Sequence, residues 1–222
     1  MTARDQMLAT IRSALTDVPA GESAEWDVAT DSDPAVEYAR SGETDPTILS
    51  ELFAERCGSY RATVVRCPDD PKGIAAAVRQ AFGRHKAGSL VLPSGLTPDW
   101  VPAGIPARSD DPPLSLADLD RGVAALTGCA QAIALTGTIV LDGAADQGRR
   151  ALTLIPDVHI CVVRIAQIVF GVPEAIRALE PLVGDSRRAI TLISGPSATS
   201  DIELERVEGV HGPRQLEVVL AG

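Results

Sequence analysis

The chain of 222 residues reads as an α/β domain, three layers built around a mostly parallel sheet, and three observations lead there. Segments of strand and helix character alternate from residue 45 onward. Two of the strand candidates, HICVVRI (159–165) and AITLIS (189–194), are near-continuous aliphatic runs without polar alternation, the pattern of strands covered on both faces by helices. The composition, 45% hydrophobic and 23% charged, is that of a folded domain with one sizeable core.

The elements follow in order. ARDQMLATIRSAL places Met7, Leu8, Ile11 and Leu15 at helical spacing with charges opposite. Between Asp17 and Pro46 nine acidic residues face only Arg40, so residues 17 to 44 read as a solvated acidic arm and 45–222 as the folded domain. TILSELFAERCG predicts a helix, YRATVVRC a strand, and PKGIAAAVRQAFGRH a helix opened by proline and closed by basic residues. SLVLP is a short buried strand. The alternation continues through GVAALTG, GTIVLD, HICVVRI, the helical VPEAIRALEPL, AITLIS and QLEVVLAG.

Composition also excludes function classes. A net charge of -10 and 3% aromatic residues disfavour nucleic acid, which requires clustered cations for phosphates and aromatic faces for bases. The first helix lacks a signal-peptide cleavage site, and no run approaches the roughly 18 apolar residues needed to span a bilayer, so no membrane insertion and a cytoplasmic location are expected. Cys57, Cys67, Cys129 and Cys161 are widely spaced without a C-x-x-C pair. They read as buried reduced thiols, and neither a metal site nor a cofactor is expected.

In an open parallel sheet, ligands bind outside the carboxyl ends of strands, so the residues flanking strands carry the candidate chemistry. Thr136, Gly137 and Thr138 sit where a glycine lets backbone approach a ligand and hydroxyls can donate, or where the chain merely turns. His159 opens a buried strand and is either a proton carrier or a satisfied structural histidine. After AITLIS, the residues Ser194, Gly195, Ser197 and Thr199 form a turn whose N–H groups suit an anion, followed by Asp201 and Glu203. A second turn, Gly209 to Pro213, carries His211 and Gly212. If the two turns meet, His211 with Asp201 makes an acid–base pair beside a hydroxyl-lined pocket; otherwise both are capping turns. The basic residues near enough to line such a pocket are Arg149, Arg150, Arg187, Arg188 and Arg214.

T-G-T before an aliphatic strand, L-x-L-I-P-D-V-H-I, then S-G-P-S-x-T-x-D-I-E with V-x-G-V-H-G-P, in this order, resemble the lactate-utilization (LUD) domain family over essentially the whole chain. The resemblance implies a fold like the NagB/RpiA/CoA-transferase superfamily. It also implies a part in oxidising L-lactate to pyruvate beside two partners, one a cysteine-rich protein and one an iron–sulfur protein. Many relatives carry an acidic residue directly before T-G-T, where this chain has Leu135. The leading expectation is a subunit without its own redox centre, taking at most a small anionic ligand. The alternatives are a stand-alone enzyme binding a CoA thioester, folate or sugar phosphate, and a regulatory or assembly protein.

Overall fold

The computed structural model describes residues 2–15, 42–186, 188–200, 206–209 and 211–222. Residues 17 to 41 of the acidic arm, Arg187, Asp201 and Glu203 lie outside the described residues. The chain divides into two units, Met1–Tyr38 and Ala39–Gly222. In the first, helix α1 (Ala3–Leu15) begins with a reciprocal pair of bonds: the Thr2 N–H donates to Asp5 Oδ2 at 2.9 Å and the Asp5 N–H to Thr2 Oγ1 at 3.3 Å. These satisfy donors that the first turn leaves free.

The second unit opens with α2 (Pro46–Ser59), capped by Asp45, whose carboxylate accepts from the Thr47 N–H at 2.8 Å. Strand β1 (Thr63–Cys67) leads to α3 (Pro71–Gly83), capped in the same way by Asp70 on the Gly73 N–H. Ile74, Ala77, Val78 and Ala81 of α3 recur at helical spacing and are all buried. Then follow β2 (Ser89–Leu92), β3 (Ala107–Ser109), α4 (Leu116–Asp120), β4 (Val123–Thr127), β5 (Gln131–Ile133), β6 (Thr138–Leu141) and β7 (Val158–Arg164). The chain ends with β8 (Ile168–Val169), α5 (Val172–Ser186), β9 (Thr191–Ile193), β10 (Ala198–Ser200), β11 (Arg206–Glu208) and β12 (Gln215–Ala221).

Among the described residues the strands form three sheets. The central sheet has the order β1-β12-β7-β4-β2-β3 and every pairing in it is parallel. Its side chains alternate between two cores. Ile160, Val162, Val219 and Ala221 face α3, while Cys161, Val163, Val218 and Leu220 face Leu49, Phe53 and Cys57 of α2. The second face is covered not by helices alone but also by a smaller mixed sheet, β8-β5-β6-β9, which contributes Ala132, Ile139 and Leu141. That sheet turns Ile133 and Val140 outward, against Ala175 and Leu179 of α5.

One strand expectation is corrected. HICVVRI is buried along β7 up to Arg164, as a central strand should be. AITLIS is not: β9 pairs antiparallel with β6 on the mixed sheet, and Leu192 is half exposed. An apolar run records that a segment meets other apolar groups, but not which sheet receives it or whether one face stays open.

Candidate functional site: a cavity at the amino edge of the sheet

The two Gly-Pro turns fold onto each other. The Ser197 N–H donates to the Pro213 carbonyl at 2.8 Å and the Gly209 N–H to the Ser197 carbonyl at 3.0 Å. The Ser197 Oγ accepts from the His211 N–H at 3.0 Å. Together with the start of β7 they border a cavity of about 230 Å³, lined by Ser194, Gly195, Ser197, His211, Gly212 and His159. Six of the sequence candidates therefore meet.

The other described candidates, Thr136, Gly137, Thr138 and Thr199, do not line it. The Thr138 hydroxyl reaches Ser194 Oγ at 2.7 Å and Thr136 Oγ1 at 2.7 Å, so the T-G-T stretch stands behind the wall, joined to it by a partly buried hydroxyl chain. Gly137, at φ +58°, lies where a Cβ would meet the Arg56 carbonyl carbon and the Cys57 nitrogen at 2.8 Å, so glycine answers there to packing on α2. Thr199 pairs with Val207 in the β10–β11 hairpin. Asp201, the expected partner of His211, is outside the described residues, and the exposed His211 ring has no hydrogen-bond partner among those described.

This cavity does not lie at the carboxyl ends of the parallel strands, where the sequence led us to expect a site. His159 is the second residue of β7 and pairs in register with Leu216, the second residue of β12. The cavity therefore opens at the amino edge of the parallel sheet, where the mixed sheet delivers Ser194 from the end of β9. At the carboxyl edge, Arg164 bonds Asp69 at 3.0 Å and lies 5.5 Å from the centre of the Trp100 ring.

His159 is 1% exposed, and burial, with the nearby Arg150 charge, pushes its imidazole down to about 4. It is neutral at physiological pH. Its Nε2 lies 2.8 Å from Thr127 Oγ1, while its Nδ1 is buried without a partner. Burial disfavours the protonated imidazole and so weighs against the proton-carrier reading of this residue.

Two further lining residues are Arg150, which the sequence named only as one of five basic residues near the pocket, and Thr153, which it did not mark. They border this cavity and also a neighbouring one of about 380 Å³ that Arg149 and Arg188 line as well. This looks like a strongly basic surface, yet two of the three charges are spent. Arg149 forks the nearly buried Asp110 at 2.7 and 2.9 Å and holds its carboxyl below the usual range. Arg188 bonds the buried Asp142 at 3.1 Å. Arg150 alone of the three has no carboxylate in ion-pair range among the described residues, and its Nη1 is held at 2.9 and 2.8 Å by the carbonyl and hydroxyl of Thr153. The R-R dipeptide gave no sign of this difference, which depends on where Asp110 falls.

The four thiols are free and buried. Cys57, Cys129 and Cys161, far apart in sequence, share one core. Burial drives Cys57 up to about 12, and Cys129 is raised by its hydrogen bond with Cys161 and by burial. These are protonated thiols packed as apolar groups.

A six-stranded parallel sheet with a mixed sheet on one face defines a class of α/β domain. The LUD-domain model matches residues 119–221, the part of the chain that supplies the cavity. A protein of Deinococcus radiodurans named lactate utilization protein C is 53% identical over 149 residues, 67% of this chain and 69% of that relative. A Bacillus subtilis protein of the same name is 27% identical over 168 residues, 68% of this chain and 70% of its own. The crystal structure of a DUF162 family protein from Deinococcus radiodurans superposes with a TM-score of 0.70 at 40% identity, covering 81% of this chain and all of that one. The chain belongs to the LUD-domain family.

Proposed function

We propose that this protein takes part in lactate utilization, as a subunit that serves the oxidation of L-lactate to pyruvate without housing the redox centre. The observation that carries the reading is the 53% identity to lactate utilization protein C of Deinococcus radiodurans over two thirds of both chains. Two features support the division of labour. The thiols are held protonated by burial, whereas metal and cluster ligation takes thiolates. Their packing fills the core between α2 and the sheet, so they serve stability. Electron transfer then falls to partners, a cysteine-rich protein and an iron–sulfur protein, and this chain acts in the cytoplasm beside them.

In this reading the cavity between the two Gly-Pro turns holds a small anionic ligand, with Ser194, Gly195, Ser197 and Gly212 forming the wall and His159 and Thr138 supporting it. His211 and Thr199 belong to the same proposed site, as do Asp201 and Glu203, which lie outside the described residues. Deleting the gene in its host and restoring it on a plasmid tests the role. Growth on L-lactate as sole carbon source is lost on deletion and recovered on complementation, while growth on pyruvate is unchanged. Normal growth of the deletion strain on lactate overturns the reading. Affinity capture of the tagged chain from lactate-grown cells tests the partners: co-purifying iron–sulfur protein supports the assignment, and its absence removes it.

A further inference from the structure

We infer that Arg150 is the anion-binding residue of this cavity, and that the ligand class it admits is a small monocarboxylate rather than a phosphate or a dicarboxylate. The inference rests on the proposed reading for the place of binding and deepens it by naming the ligand's charge and size.

The charge argument is local. The cavity and its neighbour are lined by Arg149, Arg150 and Arg188, but Asp110 and Asp142 neutralise the first and third. His159, buried in the same wall, is unprotonated at neutral pH. Among the described arginines of the two cavities, one is left without a carboxylate partner, and it is Arg150. A dianion would bring a second negative charge that no other described guanidinium of the two cavities is free to balance.

The donor argument agrees. Thr153 engages only Nη1 of Arg150, so the Nε and Nη2 edge has no acceptor among the described residues. That edge is the fork that binds a carboxylate in two parallel bonds. Because Thr153 holds the other side of the guanidinium, the fork is ordered before the ligand arrives, which lowers the entropy lost on binding. Ser197 supplies a second point: its oxygen accepts from the His211 N–H, and its own proton is left to donate. The volume sets the size. About 230 Å³ falls below the roughly 300 to 1,000 Å³ of pockets for drug-sized ligands, and suits a molecule of a few heavy atoms.

The test uses the purified full chain and calorimetric or NMR titration with four probes: L-lactate, pyruvate, malonate and inorganic phosphate. Lactate or pyruvate binds, and malonate and phosphate bind at least tenfold more weakly. Arg150→Gln lowers the affinity for the monocarboxylate at least tenfold, and Arg150→Lys, which keeps the charge but loses the fork, falls between. Both variants melt near the wild type, since Arg150 is at the surface. Tighter binding of phosphate or malonate, or an unchanged affinity in Arg150→Gln, overturns the inference. These outcomes are separable from the role itself. A chain required for growth on lactate that binds none of the monocarboxylates sinks the inference alone. A chain that binds them through Arg150 yet is dispensable for that growth sinks the role alone.

Discussion

The Oγ1 of Thr138 lies 2.7 Å from the Oγ of Ser194, a bond that ties the T-G-T stretch to the S-G-P stretch across 56 residues of sequence. Thr138 is 4% exposed and stands at the start of β6, and Ser194 directly follows β9, its antiparallel neighbour. The bond locks the far wall of the cavity to the mixed sheet. Ser194→Ala removes one partner while Thr136 still serves the Thr138 hydroxyl, so the expected cost is about 1 kcal/mol in urea unfolding. A loss above about 3 kcal/mol would mean that Ser194 holds more of the fold than this bond.

His159 makes stability fall with pH in a defined window. In the unfolded chain its imidazole takes up a proton near its ordinary value of 6.5, whereas in the folded chain it refuses one until about 4. Between those values the unfolded state binds more protons, so unfolding becomes easier as pH drops from about 6.5 toward 4. The shift corresponds to about 3 kcal/mol across the window. Denaturant midpoints measured between pH 4 and 7.5 for wild type and His159→Gln check it. The wild type loses more stability than the variant over this range, whatever the absolute stability of the variant at pH 7. Parallel curves would show that His159 is not protonated on unfolding, contrary to the geometry.

Glu217 is the most buried carboxylate of the central sheet, 1% exposed in β12, and is met by Arg84 and His85 from the end of α3. Arg84 Nε bonds Oε1 at 3.1 Å and His85 Nε2 approaches the same oxygen at 2.7 Å. Arg84→Met leaves the buried charge with His85 alone, at an expected cost of about 3 kcal/mol, the lower end of broken buried pairs because Arg84 is itself partly exposed. The double variant Arg84→Met with Glu217→Gln costs less than the single one. Equal or greater loss in the double variant would show that the pair contributes by packing rather than by charge compensation.

Gly195, at φ +81°, approaches Tyr60 so closely that a Cβ would lie 2.8 Å from the Tyr60 carbonyl oxygen. Gly195→Ala therefore combines an unfavourable backbone region with a clash against main chain, and should destabilise by about 1 to 3 kcal/mol. Gly104, at φ +80° with nothing within 4 Å of its would-be Cβ, is the control, losing only the backbone part. Similar losses at both positions would remove the close approach to Tyr60 as a cause.

Much of the fold was legible because its signals are local. Asp45 and Asp70 announce their helices by standing before a proline, and Ile74, Ala77, Val78 and Ala81 mark the buried stripe of α3. β3, β5 and β8 escaped notice because two or three residues carry no period, and they are strands only because a neighbour offers its edge. The cavity was legible in part. Ser194, Ser197, His211 and His159 were marked by residue type beside turns and strands; Arg150 was marked only as one of five arginines, since nothing in G-R-R-A-L-T separates a free arginine from a paired one, and Thr153 was not marked.

By itself the sequence determined the α/β class, the positions of the long helices and central strands, and the family, because capping residues, aliphatic runs and the S-G-P and H-G-P stretches act over a few residues each. Only the tertiary structure decided which sheet received AITLIS, which edge of the parallel sheet opens, and which arginine keeps its charge. Those depend on contacts between residues tens of positions apart, such as Arg149 with Asp110 and Thr138 with Ser194. A carboxylate neutralises a guanidinium only at hydrogen-bond distance, and that distance exists only once the chain has closed.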